Sequence, residues 1–378
     1  VQKRKLRFGM VGGGQGAFIG PVHRMAAELD GHAELVCGAF ASDSQRSLSS
    51  GQDIYRLPAQ RCYPNYHVMF AKEQALPEDK RMDFVVIVTP NHLHVPVAQA
   101  ALQAGFHVVC DKPLAMHADE ALQLAELVQA SGLRFALTHN YTGYPMIREA
   151  RDLVASGALG AIRRVSCSYL QGWLAQEAAD SKQAQWRTDP ARAGSAGCFG
   201  DIGSHAENLL SFVSGLAIEA VCADLSTFVA GRALDDDGNV LLRLSNGARG
   251  TISASQIAVG KENDLTLQLY GEKGGLEWRQ SHANSLIVRW PDKPYEVRRS
   301  GWPGTGANSQ AATRIPAGHP EGYIEAFAQI YRDFCLHLHG LPHDAYPSIE
   351  AGLRGNRFIE AVVQSSAQDS AWVKLDTN

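Results

Sequence analysis

Three residue types stand where this sequence could do chemistry: a lysine, an aspartate and a histidine. Lys112 lies in Asp111-Lys112-Pro113, directly after the apolar run His107–Cys110. Asp201 and His205 lie in Gly197-Cys198-Phe199-Gly200-Asp201-Ile202-Gly203-Ser204-His205, one helical turn apart. With Asn208 and Phe212 they form a row beside the apolar stripe of Ile202, Ala206, Leu209, Leu210 and Val213. A polar row bordering a buried face suits the wall of a cleft. The same row also suits an acid near a helix N-terminus beside an ordinary half-buried histidine.

His92 and His94 stand in Thr89-Pro90-Asn91-His92-Leu93-His94. No carboxylate or cysteine set accompanies them at ligand spacing, so no metal centre is expected. Both this segment and Asp111-Lys112-Pro113 close an apolar strand pattern. Open parallel sheets bind ligands at that carboxyl edge.

The segment Val11-Gly12-Gly13-Gly14-Gln15-Gly16-Ala17 follows the first strand pattern and precedes a helix. Counted as G-x-G-x-x-A it gives Gly12, Gly14 and Ala17. Such a loop lets backbone approach a pyrophosphate at a helix N-terminus, where free N–H groups favour anions. The insertion Phe18-Ile19-Gly20 before Pro21 permits a second alignment, with the helix starting near Pro21 and Gly20 taking the third glycine's role. The second strand closes on Phe40-Ala41-Ser42-Asp43, then Arg46. An acid there would select NAD, whereas an arginine suits a 2′-phosphate. Ser42 and Arg46 lean slightly toward NADP, Asp43 toward NAD, and the choice stays open.

The elements that must position these residues alternate at first. Strands are expected at 6–11, 34–41, 84–89, 107–110 and 135–138, with helices at 22–29, 95–104 and 118–131. The run Phe84-Val-Val-Ile-Val-Thr89 is apolar throughout, as a strand buried on both faces should be. The repeated β-α-β rhythm predicts an α/β fold, a doubly wound parallel sheet over residues 1–144. From Pro145 onward a helix leads to a strand at 162–170. Closely spaced strands then run at 221–228, 240–244, 250–256, 265–270, 276–278, 285–290 and 295–298, with turn signals such as Asn246-Gly247 between them. No crossover helices separate these later strands, so residues 145–378 should form an α+β domain with a mainly antiparallel sheet. Gly301 to Gly318 reads as a long loop of the kind that serves as a lid or binding loop, and His319-Pro320-Glu321 as the start of the next helix.

With 378 residues, the chain exceeds one ordinary core. A formal net charge of -4 gives no reason to expect nucleic acid or anionic membrane as a partner. The short basic start Lys3-Arg4-Lys5 reads as a solvated end. No apolar run reaches the ~18–20 residues of a membrane span, and no secretory leader is visible. The 7 cysteines are scattered without C-x-x-C, which leads to an expectation of reduced thiols in a cytoplasm.

Taken together, these motifs resemble the glucose–fructose oxidoreductase / inositol dehydrogenase / MocA family over nearly the whole chain. The resemblance rests on the glycine loop, Thr89-Pro90-Asn91-His92-x-His94, Asp111-Lys112-Pro113-Leu114, Asn140-Tyr141, Gly157-x-Leu159-Gly160-x-Ile162 and Asp201-x-Gly203-x-His205. It implies a Rossmann domain followed by a domain with an open sheet used for contact in a homo-dimer or tetramer. It implies Lys112, Asp201 and His205 as the catalytic residues. Cofactor contacts are then expected from Gly12, Gly14, Gly16, Ala17, Phe18, Ser42, Arg46, Thr89, Pro90, Asn91, His94, Asp111, Lys112 and Asn140. Substrate contacts are expected from Lys112, Trp173, Asp201, His205, His319 and Tyr323, with Trp186-Arg187 as a further pair and Trp302 nearby in the loop. The implied reaction moves a hydride between NAD or NADP and a hydroxyl or carbonyl of a sugar, inositol or related polyol. His205 would take the hydroxyl proton, Lys112 would bond the substrate oxygen, and Asp201 would orient His205 or bond a neighbouring hydroxyl. An NAD-dependent glycosidase using transient oxidation and a non-catalytic dinucleotide sensor are the alternatives.

Overall fold

The computed structural model describes residues 3–176 and 187–375. Trp186 lies outside them. The chain divides into two compact units. The first comprises Val1–Ala115, Asp119–Asn140 and Phe327–Leu353; the second comprises Met116–Ala118, Tyr141–Ala326 and Arg354–Asn378. The change at Asn140/Tyr141 falls four residues before the boundary expected from the sequence. The segment Phe327–Leu353, expected with the second domain, counts with the first.

In the first unit, five parallel strands lie in the order β2-β1-β3-β4-β5. They are β1 (Leu6–Gly12), β2 (Ala33–Ala39), β3 (Phe84–Val88), β4 (His107–Cys110) and β5 (Phe135–Leu137). Every residue of β3 is buried, as the unbroken apolar run requires of a strand covered on both faces. Helices α1 (Ile19–Leu29), α4 (His94–Gln103) and α5 (Ala118–Ser131) supply crossovers, while α2 (Ser44–Ser49) and α3 (Tyr66–Gln74) lie between β2 and β3. Leu102, Val97, Leu124 and Val128 pack with Val85, Ile87 and Val108 in the core of this unit. The basic start is more than a solvated end: Arg4 gives two hydrogen bonds to Asp83, at 2.6 and 2.8 Å.

Among the described residues the second unit holds nine strands in the order β13-β12-β11-β10-β6-β9-β8-β7-β14. They are β6 (Ile162–Leu170), β7 (Ile218–Ser226), β8 (Asp237–Leu244), β9 (Arg249–Ser255), β10 (Asp264–Gly271), β11 (Gly275–Arg279), β12 (Ser285–Arg289), β13 (Glu296–Arg299) and β14 (Val373–Lys374). β6 and β9 pair parallel; the other neighbours pair antiparallel. In β8, Val240, Leu242 and Leu244 are buried while Asn239, Leu241 and Arg243 are exposed. The buried face carries helix α6 (Pro145–Ala155) and the helix Ser204–Ser214, which ends on Gly215 in the left-handed conformation. Short polar pairs cover part of the opposite face, such as Ser166 with Thr251 at 3.0 Å.

The 301–318 stretch is held fast rather than built as a hinged lid, and it contains a short helix, Ala307–Ala312. Glu149 of α6 is 1% exposed and accepts from Arg298 Nη1 and the Gly306 N–H, each at 2.5 Å. Asp152 accepts from Asn308 at 2.7 Å. The next helix begins at Tyr323, not at His319-Pro320-Glu321. Glu321 turns its carboxylate back onto the N–H groups of Arg314 and Ile315, and its own N–H goes to Asn284. Glu325, the third residue of the helix, reaches back to accept the Gly322 N–H, as in a capping box.

Candidate active site

At the carboxyl edge of the parallel sheet, backbone meets backbone with no side chain between. Gly12 and Gly13 have φ of +90° and +75°, which other residues rarely adopt. A Cβ on Gly12 would fall 2.6 Å from the Val88 carbonyl oxygen, and one on Gly14 2.5 Å from that of Phe40. A Cβ on Gly20 would fall 2.5 Å from Gly13 Cα. The helix starts at Ile19, two residues before the start near Pro21 that the second alignment gave, and Gly20 inside its first turn takes the close-packing role, as that alignment has it. Tyr55 O–H donates to the Gly13 carbonyl at 2.6 Å, and Arg46 Nη2 donates to that of Gln15 at 2.5 Å. Phe18, two-thirds exposed, precedes α1 without giving it a side-chain cap.

This cradle fits a dinucleotide. The start of α1 has no side-chain cap for its amide donors, which leaves the anion-favouring end of an eleven-residue helix beside the glycines. Two buried polar atoms at the strand ends, Thr89 Oγ1 and Asn140 Nδ2, have no hydrogen-bond partner. Buried polar groups are ordinarily paired, so these two, standing at the ligand edge of the sheet, suit a polar ligand. Asn91 is buried at the same edge, and Pro90 precedes it. Asp43 is not a strand-end acid: β2 stops at Ala39, and Asp43 caps α2 by accepting the Arg46 N–H at 2.7 Å. Ser42 stays exposed.

His94 is 1% exposed, with Nδ1 2.6 Å from the Pro113 carbonyl and Nε2 2.9 Å from that of Thr89. A neutral ring carries one N–H, so it donates to one of these two carbonyls, at the end of β3 or in the Lys112-Pro113 turn. Burial lowers its basicity. Lys112 N–H and the Thr138 hydroxyl both donate to Asp111 Oδ1, at 3.0 and 2.9 Å.

Sequence reasoning missed His23. It lies on α1, three residues after Gly20, and is completely buried. Its Nδ1 is 2.6 Å from Tyr331 Oη, its ring meets Phe327 edge-on at 4.8 Å, and its Nε2 stands 4.0 Å from Asp111 Oδ1. Desolvation drives its pKa down to about 4 despite the opposing pull of Asp111. No motif marks it; only the apolar spacing of α1 placed it on an inward face.

In the second unit, Asp201 sits in a wide turn, Phe199–Gly203, just before the helix that begins at Ser204. Its Oδ2 accepts from Arg187 Nε at 3.1 Å and Gln256 Nε2 at 2.9 Å. His205 is 8% exposed, and its ring meets Tyr141 edge-on at 4.9 Å. Tyr141 and Tyr169 share a 2.5 Å hydroxyl contact. Burial raises the pKa of both phenols, keeping them protonated. Because Tyr169 O–H donates to Asn263 Oδ1, Tyr141 is the donor of that pair. Tyr323 meets Tyr141 edge-on at 6.3 Å. His319 is exposed, with Nδ1 3.1 Å from the Pro316 carbonyl, and Trp302 is half exposed. Among the described residues no group of three or more His, Cys, Asp or Glu could hold a metal ion, and no helix is long and apolar enough to cross a membrane.

A glycine-lined phosphate cradle on a five-stranded parallel sheet, with a separate sheet domain carrying an aspartate–histidine pair, defines a two-domain nicotinamide-dependent oxidoreductase. The chain belongs to the Gfo/Idh/MocA family: residues 6–139 match the oxidoreductase family with an NAD-binding Rossmann fold, and residues 147–277 match the GFO/IDH/MocA C-terminal domain. The uncharacterized oxidoreductase YfiI of Bacillus subtilis is 34% identical over 99% of this chain and 98% of its own length. Levoglucosan dehydrogenase of Pseudarthrobacter phenanthrenivorans is 27% identical over 98% of each. A crystal structure of an inositol dehydrogenase homolog from Azotobacter vinelandii, complexed with NAD+, superposes with a TM-score of 0.94 at 34% identity, covering 98% of this chain and 97% of that one.

Two outcomes follow for the first unit. Gly20→Ala forces backbone apart at Gly13, so it should cost about 1–3 kcal/mol of stability and weaken dinucleotide binding, as a melt and a titration would show. Equal affinity in the variant would contradict the fit. His23 binds a proton more weakly folded than unfolded, so protonation favours the unfolded chain. Its contribution is intact above pH ~6.5, falls as the pH drops toward ~4, and totals about 3 kcal/mol. Replacing His23 by Gln should flatten that acid limb in denaturant titrations run across this range; an unchanged limb would contradict it.

Proposed function

We propose that this protein transfers a hydride between NAD(H) and a hydroxyl or carbonyl carbon of a sugar, inositol or related polyol. The observation that carries the reading is the glycine cradle with its unpaired Thr89 and Asn140 atoms, joined in one chain to the Asp201–His205 element. The dinucleotide, when bound, accepts or supplies the hydride. The glycines, Thr89, Asn91 and Asn140 would hold it. Arg46 donates one of its N–H groups to the Gln15 carbonyl beside the glycine loop, and NAD is favoured over NADP on the likeness to a relative, the A. vinelandii protein holding NAD+.

Lys112, Asp201 and His205 are proposed as the catalytic residues. His205 takes the proton of the reacting hydroxyl, and its aromatic collar of Tyr141 and Tyr169 limits its contact with water. The ammonium of Lys112 bonds the substrate oxygen and stabilises charge developing there. Asp201 bonds a neighbouring hydroxyl; Arg187 and Gln256 fix its carboxylate for that task. The names of the inositol and levoglucosan enzymes among the relatives support a polyhydroxylated substrate. A homo-oligomer through the open face of the nine-stranded sheet is proposed as well. Leu241 and Val297 are half exposed there, opposite the core side. A cytoplasmic location suits the 7 free thiols.

Lys112→Ala and His205→Ala should each lower turnover at least ~100-fold while leaving NAD affinity within about threefold. The measurement is reduced nicotinamide formed with a panel of sugars, inositols and linear polyols. Near-native turnover in either variant would remove that residue from the catalytic set.

A further inference from the structure

We propose that Tyr55 is a positioning residue for the dinucleotide: its hydroxyl holds the Gly13 carbonyl away from the pyrophosphate, so that the glycine loop presents donors to the anion. The proposal rests on the dinucleotide reading above and gives a role to a residue 42 positions beyond Gly13, outside the glycine motif.

A loop that binds an oxyanion with its backbone must turn N–H groups toward it and keep carbonyl oxygens away, because like partial charges repel. Three successive carbonyls of this loop are each taken by a protein donor. Gly13 accepts from Tyr55 Oη at 2.6 Å, Gly14 from the Ala17 N–H at 2.9 Å, and Gln15 from Arg46 Nη2 at 2.5 Å. The last two contacts are local or exposed: Ala17 belongs to the loop, and the Arg46 bond lies at the surface. The Gly13 contact is internal. A Cβ on Gly13 would fall 3.0 Å from Tyr55 Oη, and one on Gly20 would fall 2.7 Å from Tyr55 Oη and 3.0 Å from the Gly13 oxygen. The hydroxyl thus sits where a side chain on either glycine would stand.

The wide helical turn Ser50–Ile54 brings it there. The Tyr55 N–H bonds the Ser50 carbonyl, five residues back, at 3.3 Å. In an α-helix, residues five apart point about 140° from one another. An i→i+5 turn brings them round to one side. Both residues accordingly meet the loop, for Ser50 Oγ accepts the Gln15 N–H at 3.1 Å. The Tyr55 ring is 2% exposed and stacks on Phe40 at 4.4 Å and 14°, with Arg24 Cζ 5.8 Å from its centroid. Burial pushes the phenol pKa up to about 12, so the group stays protonated and donates. Without the hydroxyl, the Gly13 carbonyl is left without its partner and can regain one only by turning out of its place beside Gly20. The peptide would then present an acceptor where the anion needs a donor.

The test compares wild type, Tyr55→Phe and Val128→Ala, the last a change in the buried side of α5. Each is checked for folding by its melt. NADH binding is read by fluorescence, so that no substrate is needed. ADP and adenosine are measured as competitors, the first carrying a pyrophosphate and the second none. Tyr55→Phe keeps the ring on Phe40 and should weaken NADH and ADP about tenfold or more, with adenosine changed less than about threefold. Val128→Ala should lower the melting temperature and leave all three ligands within about twofold. Unchanged ADP affinity in Tyr55→Phe, equal weakening of ADP and adenosine, or as large a loss in Val128→Ala would overturn the proposal. A crystal structure of the wild-type NADH complex tests it without any variant. Gly13 should keep its bond to Tyr55 there, and a Gly13 carbonyl turned toward the pyrophosphate would also overturn it. Wild type that binds neither NADH nor ADP would defeat the dinucleotide reading, and the proposal with it.

Discussion

The contact on which the nucleotide half depends is the bare approach of Gly13 to Gly20. With no Cβ on either, the start of α1 can lie against the loop that follows β1. That placement sets two other things. It aims an uncapped helix N-terminus at the loop, and it carries His23 inward to Tyr331 and toward Asp111. Asp111 in turn accepts the Lys112 N–H, and His94 Nδ1 stands 2.6 Å from the Pro113 carbonyl. A single methyl group at position 20 would thus disturb the cradle and the lysine turn through one rigid helix.

The second unit places its residues by a different means. Its nine-stranded sheet gives a broad apolar face against which the helix Ser204–Ser214 is packed through Leu209 and Leu210. The turn before that helix is fixed by a buried carboxylate: Asp235 accepts the N–H groups of Gly197 and Phe199, at 2.6 and 2.8 Å. Burial raises the pKa of Asp235, and these two bonds oppose that rise. Around it, tyrosine hydroxyls and side-chain amides satisfy one another in a chain, which limits rearrangement because breaking one link leaves a buried group unpaired.

Much of this could be read from residue order. The unbroken apolar run at 84–89 announced a strand covered on both faces, whereas the single-sided burial of β8 was not legible, since Leu241 is as apolar as the buried Leu242 beside it. The catalytic candidates were found because each lies within a short motif. What stayed hidden depends on contacts between distant segments. His23 is one aromatic residue among many until Tyr331 and Phe327, some 300 positions away, close over it. The loop at 301–318 reads from its Gly, Pro and Ser content only as a long loop, a lid or a binding loop; that Glu149, Asp152 and Glu321 hold it depends on residues outside the stretch. The helix expected from Pro320 in its first turn begins at Tyr323, where the Glu325 carboxylate takes the Gly322 N–H, while Glu321 is drawn back onto Arg314 and Ile315.

The account stands most directly on whether the cradle holds a nicotinamide dinucleotide. Calorimetric titration of the purified protein with NAD and, separately, NADP measures this without knowing the substrate. Saturable one-site binding of NAD, with NADP weaker, is the result expected. Failure to bind either nucleotide would contradict it at the root.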